Sequence, residues 1–277
     1  MNKRYFIAAL SECVRKIHRE LRVAVTPVPQ NKQWVFIVGC YNSGTTLLDK
    51  LLSFHPDVSA LPTEGHFITD QFIKDYDIGL PRMWVDREDL FRLIDGHPKP
   101  DVMRIKKEWA ARLDRSKKVF LEKSPPNSAR TIWLQEKFEN AKFIVITRDP
   151  YAVSEGIRRK AKPFHTPEGW PIEKCAYQWA RTYEILMEDA EYLKHCKWIK
   201  YEDLCDKSDS ILNEVFNFIG LRKHDISEKN DALSIHERKS SIRNMNKESF
   251  ERLTHSDIRK ISDVVSPIAG KLGYEVL

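Results

Sequence analysis

The stretch WVFIVGCYNSGTTLLDKLL, from Trp34 to Leu52, decides the fold. Val35 to Val38 is an apolar run of strand length without polar alternation, as expected of a strand covered on both faces. Leu47, Leu48, Leu51 and Leu52 then recur on one helical face. Between them lies Gly39-Cys-Tyr-Asn-Ser-Gly44, followed by Thr45 and Thr46 where the helix must start. Glycines let backbone N–H groups turn inward, and a helix start carries about half a positive charge. The hydroxyls of Ser43, Thr45 and Thr46 are placed to donate further bonds, so the loop is expected to hold an anion. A triphosphate-binding loop has a lysine immediately after its second glycine. Thr45 stands there, which disfavours ATP and GTP and leaves a nucleotide-dependent kinase as a second reading.

Outward from this stretch the same grammar repeats. Val119 to Leu121, Phe143 to Ile146 and Lys197 to Tyr201 read as further strands. Apolar stripes at helical spacing run through Ala176, Trp179, Ala180, Tyr183 and Leu186, through Ile211, Leu212, Val215 and Ile219, and through Ile258, Ile261, Val265, Ile268 and Leu272. Strands alternating with helices predict a three-layer α/β/α domain around a central parallel sheet, with ligands beyond the carboxyl ends of the strands. No linker or low-complexity tract interrupts it, and Ile94 to Asp101 reads as a surface connection. The expected organisation is one domain over 31–277, preceded by an amphipathic helix and linker over 1–30. In that helix Phe6, Leu10, Val14, Ile17 and Leu21 form a stripe between Arg15, Lys16, Arg19 and Arg22, and Pro27 and Pro29 end it. The stripe is expected to pack against the domain; weak peripheral contact with an anionic membrane is its other use.

Composition sets the outer limits. The 277 residues are 42% apolar and 10% aromatic, which excludes general disorder, and 46 basic against 40 acidic residues give a net charge of +6. Acids and bases interleave, so the concentrated basic face of a nucleic-acid binder is not expected. The longest apolar run, Trp34 to Tyr41, is far short of the roughly 20 residues of a membrane span, and Tyr5 to Leu10 is short for a secretory core. Five cysteines without a Cys-x-x-Cys pair suit a reducing, cytoplasmic setting and argue against zinc. Oligomeric state leaves no signal.

A second motif, ITRDPYAVS from Ile146 to Ser154, again follows a strand and opens a helix. Asp149 and Pro150 suit the cap and first turn, and Arg148 at the strand end can grip a phosphate with a charge-assisted fork. At this point the chain resembles the sulfotransferases that use 3′-phosphoadenosine 5′-phosphosulfate. Asn42-Ser43-Gly44-Thr45-Thr46 fits four of five positions of their first motif, which opens with Arg or Lys. By that resemblance this loop holds the 5′-phosphosulfate end and Arg148 the 3′-phosphate. Two positions depart from the pattern. Asn42 replaces the base that supports the leaving oxygen, and Gly156 stands where a serine is expected, with Ser154 as the nearer candidate.

The likeness extends from about Trp34 to Tyr274. Leu121-Glu-Lys-Ser-Pro-Pro-Asn127 resembles a Glu-Lys-Thr-Pro segment of bacterial members and nominates Lys123 to replace the charge absent at Asn42. Lys200-Tyr-Glu-Asp-Leu204 resembles a strand end whose tyrosine, here Tyr201, lies near adenine. His236 to Asn244 resembles a late basic loop over the 3′-phosphate, making Lys239, Ser240 and Arg243 candidate contacts.

Transfer of a sulfuryl group calls for in-line positioning and charge neutralisation, with no metal evidently required. It also needs a base near the acceptor. In Leu61-Pro-Thr-Glu-Gly-His-Phe67, Glu64 matches the acidic base that the resemblance implies, and His66 has the more suitable ordinary pKa. The implied acceptor is a small molecule or glycan, a carbohydrate or other alcohol being preferred, with an amine or protein tyrosine as alternatives; residues 68–118 are expected to shape its pocket. A protein that binds the donor but has lost transfer is the remaining alternative.

Overall fold

The computed structural model describes residues 14, 16–94, 99–162, 167–225, 234–235, 238–239 and 242–277. Five strands form an all-parallel sheet in the order β2-β3-β1-β4-β5. They are β1 Gln33–Val38, β2 Val58–Ala60, β3 Val119–Lys123, β4 Lys142–Thr147 and β5 Cys196–Lys200. A two-residue antiparallel ladder pairs β6 Ser234–Ile235 with β7 Arg238–Lys239.

The helices are α1 over residues 16–25, α2 Thr45–Ser53, α3 Gly65–Ile68, α4 Glu88–Phe91, α5 Val102–Ala110, α6 Thr131–Lys137, α7 Pro150–Ala161, α8 Ile172–Ala190, α9 Tyr201–Asp206, α10 Ser208–Phe218, α11 Asn246–Phe250 and α12 His255–Ala269. Alternate side chains of each strand enter opposite layers, which gives the expected three-layer arrangement. Trp34, Phe36, Phe120 and Phe143 bury on one face with α5 to α8 and α12. Val35, Ile37, Leu121 and Ile144 bury on the other with α2, α9 and α10. The aromatic face is tightly set, with Trp34 and Phe36 centred 4.9 and 5.3 Å from Phe138.

Register brings the strand ends level: Ile37 lies opposite Lys123 on one side and Ile144 on the other. The chain leaves β1 toward β3 and β2 in one direction and toward β4 and β5 in the other. This is the topological switch where α/β sheets bind ligands. Strand β2 is absent from the sequence reading, because three residues at a sheet edge carry too little pattern.

Helix α1 corrects the expected packing. Val14, Ile17, Leu21 and Val25 are 55–78% exposed, at 58%, 55%, 61% and 78%. The helix is held instead by its polar side: Arg19 pairs with the buried Glu108 at 2.6 Å and Glu20 with Arg104 at 2.6 Å. Phe6 and Leu10 lie outside the described residues, as does the middle of the Ile94 to Asp101 connection. Among the described residues no helix is long and apolar enough to cross a membrane.

Candidate active site

A cavity of about 470 Å³ opens at the carboxyl ends of β1 and β4 and reaches across to the segment after β3. Its floor is the loop between β1 and α2. Gly39 has φ 149° and Gly44 φ 95°, and at each a Cβ would strike a neighbour, Ile146 O at 2.4 Å and the Tyr201 ring at 2.5 Å. Only glycine fits there. Gly44 caps α2 without a side-chain bond, so the first N–H groups of the helix are left for a ligand. Thr45 and Thr46 form that first turn and line the cavity.

Ser43 departs from its expected part. Its hydroxyl is buried 2.8 Å from the Tyr183 hydroxyl, and Tyr183 itself donates to Ile146 O at 2.8 Å. Tyr183 has a single hydrogen to give, so Ser43 donates inward and the expected hydroxyl contact with the ligand is not made. Asn42, with φ 63°, lines the cavity while both polar atoms of its side chain are buried without a partner.

Arg148 sits at the end of β4 and lines the same cavity as Thr45 and Thr46. Its Nε donates to Asn246 Oδ1 at 2.8 Å and its Nη1 to the Asn42 carbonyl at 2.9 Å. The guanidinium lies 4.3 Å from the centre of the Tyr201 ring, a cation–π contact. Nη2 makes no hydrogen bond among the described residues and remains for an anion. Asp149 caps α7 by accepting from Ala152 N, and Pro150 opens the helix, as expected. Ser154 is a second correction: its buried hydroxyl donates to Pro150 O at 2.7 Å, inside the helix. Gly156, two residues further along α7, lines the cavity directly.

Tyr201, the first residue of α9, walls the same end. Its hydroxyl donates to Arg243 O at 3.0 Å and accepts from Met245 N at 3.2 Å, and burial lifts it to about 12. Arg243 lines the cavity and pairs with Glu248 at 3.0 Å. Lys239 belongs to β7 by its backbone, and Ser240 lies outside the described residues.

The opposite end is polar and crowded. Glu64 and His66 line it, and Lys123, at the end of β3, bonds Glu64 Oε1 at 2.7 Å. His66 Nδ1 is 3.7 Å from Glu64 Oε2 and 3.1 Å from Ser124 Oγ. Ser124 donates to Glu122, which also accepts from Gly65 N at 2.9 Å and Asn127 Nδ2 at 2.5 Å. This assigns the His66 hydrogen to Nδ1, where it donates to Ser124. Burial, helped by Arg130, Lys123 and Lys74, pushes His66 well below its ordinary value and keeps it neutral. Burial lifts Glu122 to about 7. The structure therefore joins Glu64, His66 and Lys123 in one cluster.

Sequence reasoning missed Arg82, Lys160, Arg159, Tyr41 and Tyr76, all on the cavity wall. Lys160 was findable: Ala152, Gly156 and Lys160 recur at four-residue spacing on the helix that Arg148 introduces. Arg82 carried no signal, since it sits in a loop with φ 62°.

The profile described as "Sulfotransferase family" matches residues 34–225. The chain belongs to the sulfotransferase family. It is 24% identical over 267 residues to protein-tyrosine sulfotransferase A of Caenorhabditis elegans, covering 87% of this chain and 67% of that one. The sulfotransferase domain of the Synechococcus PCC 7002 olefin synthase superposes with TM-score 0.59 at 17% identity, over 91% of this chain and 98% of that one. Mouse sulfotransferase SULT7A1 complexed with PAP superposes with TM-score 0.50 at 14% identity, over 88% and 84%. Family membership makes the chain a sulfotransferase and removes the kinase reading.

Proposed function

We propose that this sulfotransferase moves a sulfuryl group from 3′-phosphoadenosine 5′-phosphosulfate to an acceptor hydroxyl. The observation that carries the reading is the shared cavity: the uncapped start of α2 and the Arg148 guanidinium open into the same space as Glu64. The PAP in the mouse neighbour supports the same donor chemistry.

The residues fit such a donor. Backbone N–H groups of Thr45 and Thr46, with their hydroxyls, hold the 5′ end. Arg148 Nη2 holds the 3′-phosphate, with Arg243 above it and Tyr201 as the wall beside the nucleotide. The orphaned Asn42 amide, which lost its hydrogen-bonding partners on burial, gains one when an anion enters.

Glu64 accepts the acceptor proton as its oxygen bonds to sulfur and the bond from sulfur to the bridging oxygen breaks. The electron pair leaves on the 5′-phosphate. Lys123 holds Glu64 in place and supplies positive charge near the transferred group. Neutral His66, whose Nδ1 hydrogen goes to Ser124, is the weaker base given its depressed affinity for protons. The reaction runs on positioning and charge stabilisation.

The acceptor is a carbohydrate or another alcohol; the relative named for protein tyrosine supports a phenol as the second choice. The four described cysteines are unpaired, which supports a reducing, cytoplasmic setting. Incubation with isotope-labelled donor and a panel of alcohols, glycans and tyrosine peptides, scored by mass for added SO3, tests transfer. Donor binding without transfer to any acceptor would leave a protein that has lost the reaction.

A further inference from the structure

Helix α1 is mounted with its faces reversed. An ordinary surface helix turns its apolar stripe to the core and its charges to water. Here Val14, Ile17, Leu21 and Val25 share one face at helical spacing, and each is more than half exposed. The other side carries the attachment: Arg19 meets Glu108 at 2.6 Å and Asp70 at 3.2 Å, and Glu20 meets Arg104 at 2.6 Å. Glu108 is buried. Turning the helix by half a rotation would cover the stripe but strip Arg19 from that buried carboxylate, which is costly. The stripe therefore stays outside.

Positive charge accompanies the exposed stripe. Residues 1–26 hold six basic side chains against two acidic ones, a net +4 of the chain's +6. Out of totals of 46 and 40, the other 251 residues keep 40 basic and 38 acidic, nearly balanced. One of the two acids, Glu20, is already held by Arg104. Lys16 and His18 are exposed on α1, and Arg22 is half-buried on it. Self-association through this face would bring two +4 segments together, so a second copy is a poor cover. An anionic lipid surface matches both features at once, taking up the apolar face and attracting the charge.

We propose that α1 is an interfacial helix that docks the protein on an anionic phospholipid bilayer. Val14, Ile17, Leu21 and Val25 enter the boundary between headgroups and acyl chains, while Lys16 and Arg22 meet lipid phosphates. The helix lies along the surface, and its ion pairs to Glu108, Asp70 and Arg104 transmit the attachment to the domain. Membrane docking of this kind is reversible, because a few apolar side chains and a few charges supply it. No described residue of α1 lines the catalytic cavity, so this inference stands apart from the donor and acceptor readings.

The test is co-sedimentation of the full chain with vesicles of phosphatidylcholine alone and of equal parts phosphatidylcholine and phosphatidylglycerol. Wild type is expected to partition onto the anionic vesicles at least about tenfold more strongly, and the preference should shrink as salt is raised. Ile17→Ser/Leu21→Ser should weaken binding to anionic vesicles by about tenfold or more. Its melting temperature should match wild type, because both side chains are exposed. Lys16→Gln/Arg22→Gln, an independent arm that keeps the stripe, should also weaken binding by about tenfold or more. Binding to neither vesicle, equal binding to both, or undiminished binding of the Ile17→Ser/Leu21→Ser protein overturns the proposal. A wild-type dimer in analytical centrifugation that Ile17→Ser/Leu21→Ser dissociates would also overturn it, by giving the stripe to a second copy.

Discussion

Arg148 donates from Nη1 to the backbone carbonyl of Asn42 at 2.9 Å. The arginine of one motif thereby holds the loop of the other in its left-handed turn, where Asn42 has φ 63°. The two anchoring points are one mechanical unit, and disturbance at either is felt at both.

Gly44→Ala should break that unit from the loop side. A Cβ at φ 95° meets the Tyr201 ring at 2.5 Å, and the left-handed backbone alone costs a residue with a Cβ about 1–2 kcal/mol. The expected result is a melting temperature lower by roughly 2–8 °C together with loss of bisphosphate binding. Unchanged melting and binding would contradict the wedging of Tyr201 against the loop.

Gly156→Ser probes the other departure. An added Cβ lies 3.1 Å from both Cβ and Cγ of Asn42, a tight contact that forces the Asn42 side chain to move. Donor binding should weaken in Gly156→Ser and recover in Asn42→Gly/Gly156→Ser, giving a coupling energy of about 0.5–3 kcal/mol in a double-mutant cycle. Simple additivity would mean that the two positions act independently.

Glu64→Gln should lower transfer by about 10²–10⁴-fold while leaving bisphosphate affinity unchanged. Lys123→Ala should also slow transfer, with little effect on acceptor affinity, because it removes the 2.7 Å partner of Glu64 and a nearby positive charge. Steady-state rates with saturating donor read both effects. Full activity in Glu64→Gln would move the base elsewhere in the cluster.

Glu122 supplies a pH test. Burial raises it from the ordinary 4.5 to about 7, so the folded state binds its proton more tightly than the unfolded chain does. Its stabilising contribution is complete below about pH 4.5 and is lost as pH climbs to about 7. Glu122→Gln imitates the protonated carboxyl. Wild type should therefore lose stability relative to the variant across that window in urea titrations; a constant difference would rule out the elevated value.

Strands β1, β3 and β4 were legible because they are buried on both faces and carry apolar runs, and because glycine and Asp-Pro punctuate the ends of β1 and β4. Arg148, Thr45, Thr46 and Lys123 were legible as positions at or just after strand ends, whereas Glu64 was nominated by the family resemblance and His66 by its ordinary pKa. Ser43 and Ser154 misled, since a hydroxyl's direction depends on partners remote in the chain or inside the helix: Tyr183 for one, Pro150 O for the other. The α1 stripe misled for a similar reason, its burial being pre-empted by the Arg19 and Arg104 ion pairs with Glu108 and Glu20.

The central claim is that the α2 start and Arg148 grip two ends of one doubly charged adenylate. Titration of wild type and Arg148→Ala with adenosine 3′,5′-bisphosphate and adenosine 5′-phosphate tests it most directly. Wild type should prefer the bisphosphate by about 1.5–3 kcal/mol, the value of one charge-assisted contact, and Arg148→Ala should bind both equally. Equal affinity of the two nucleotides for wild type would contradict the account.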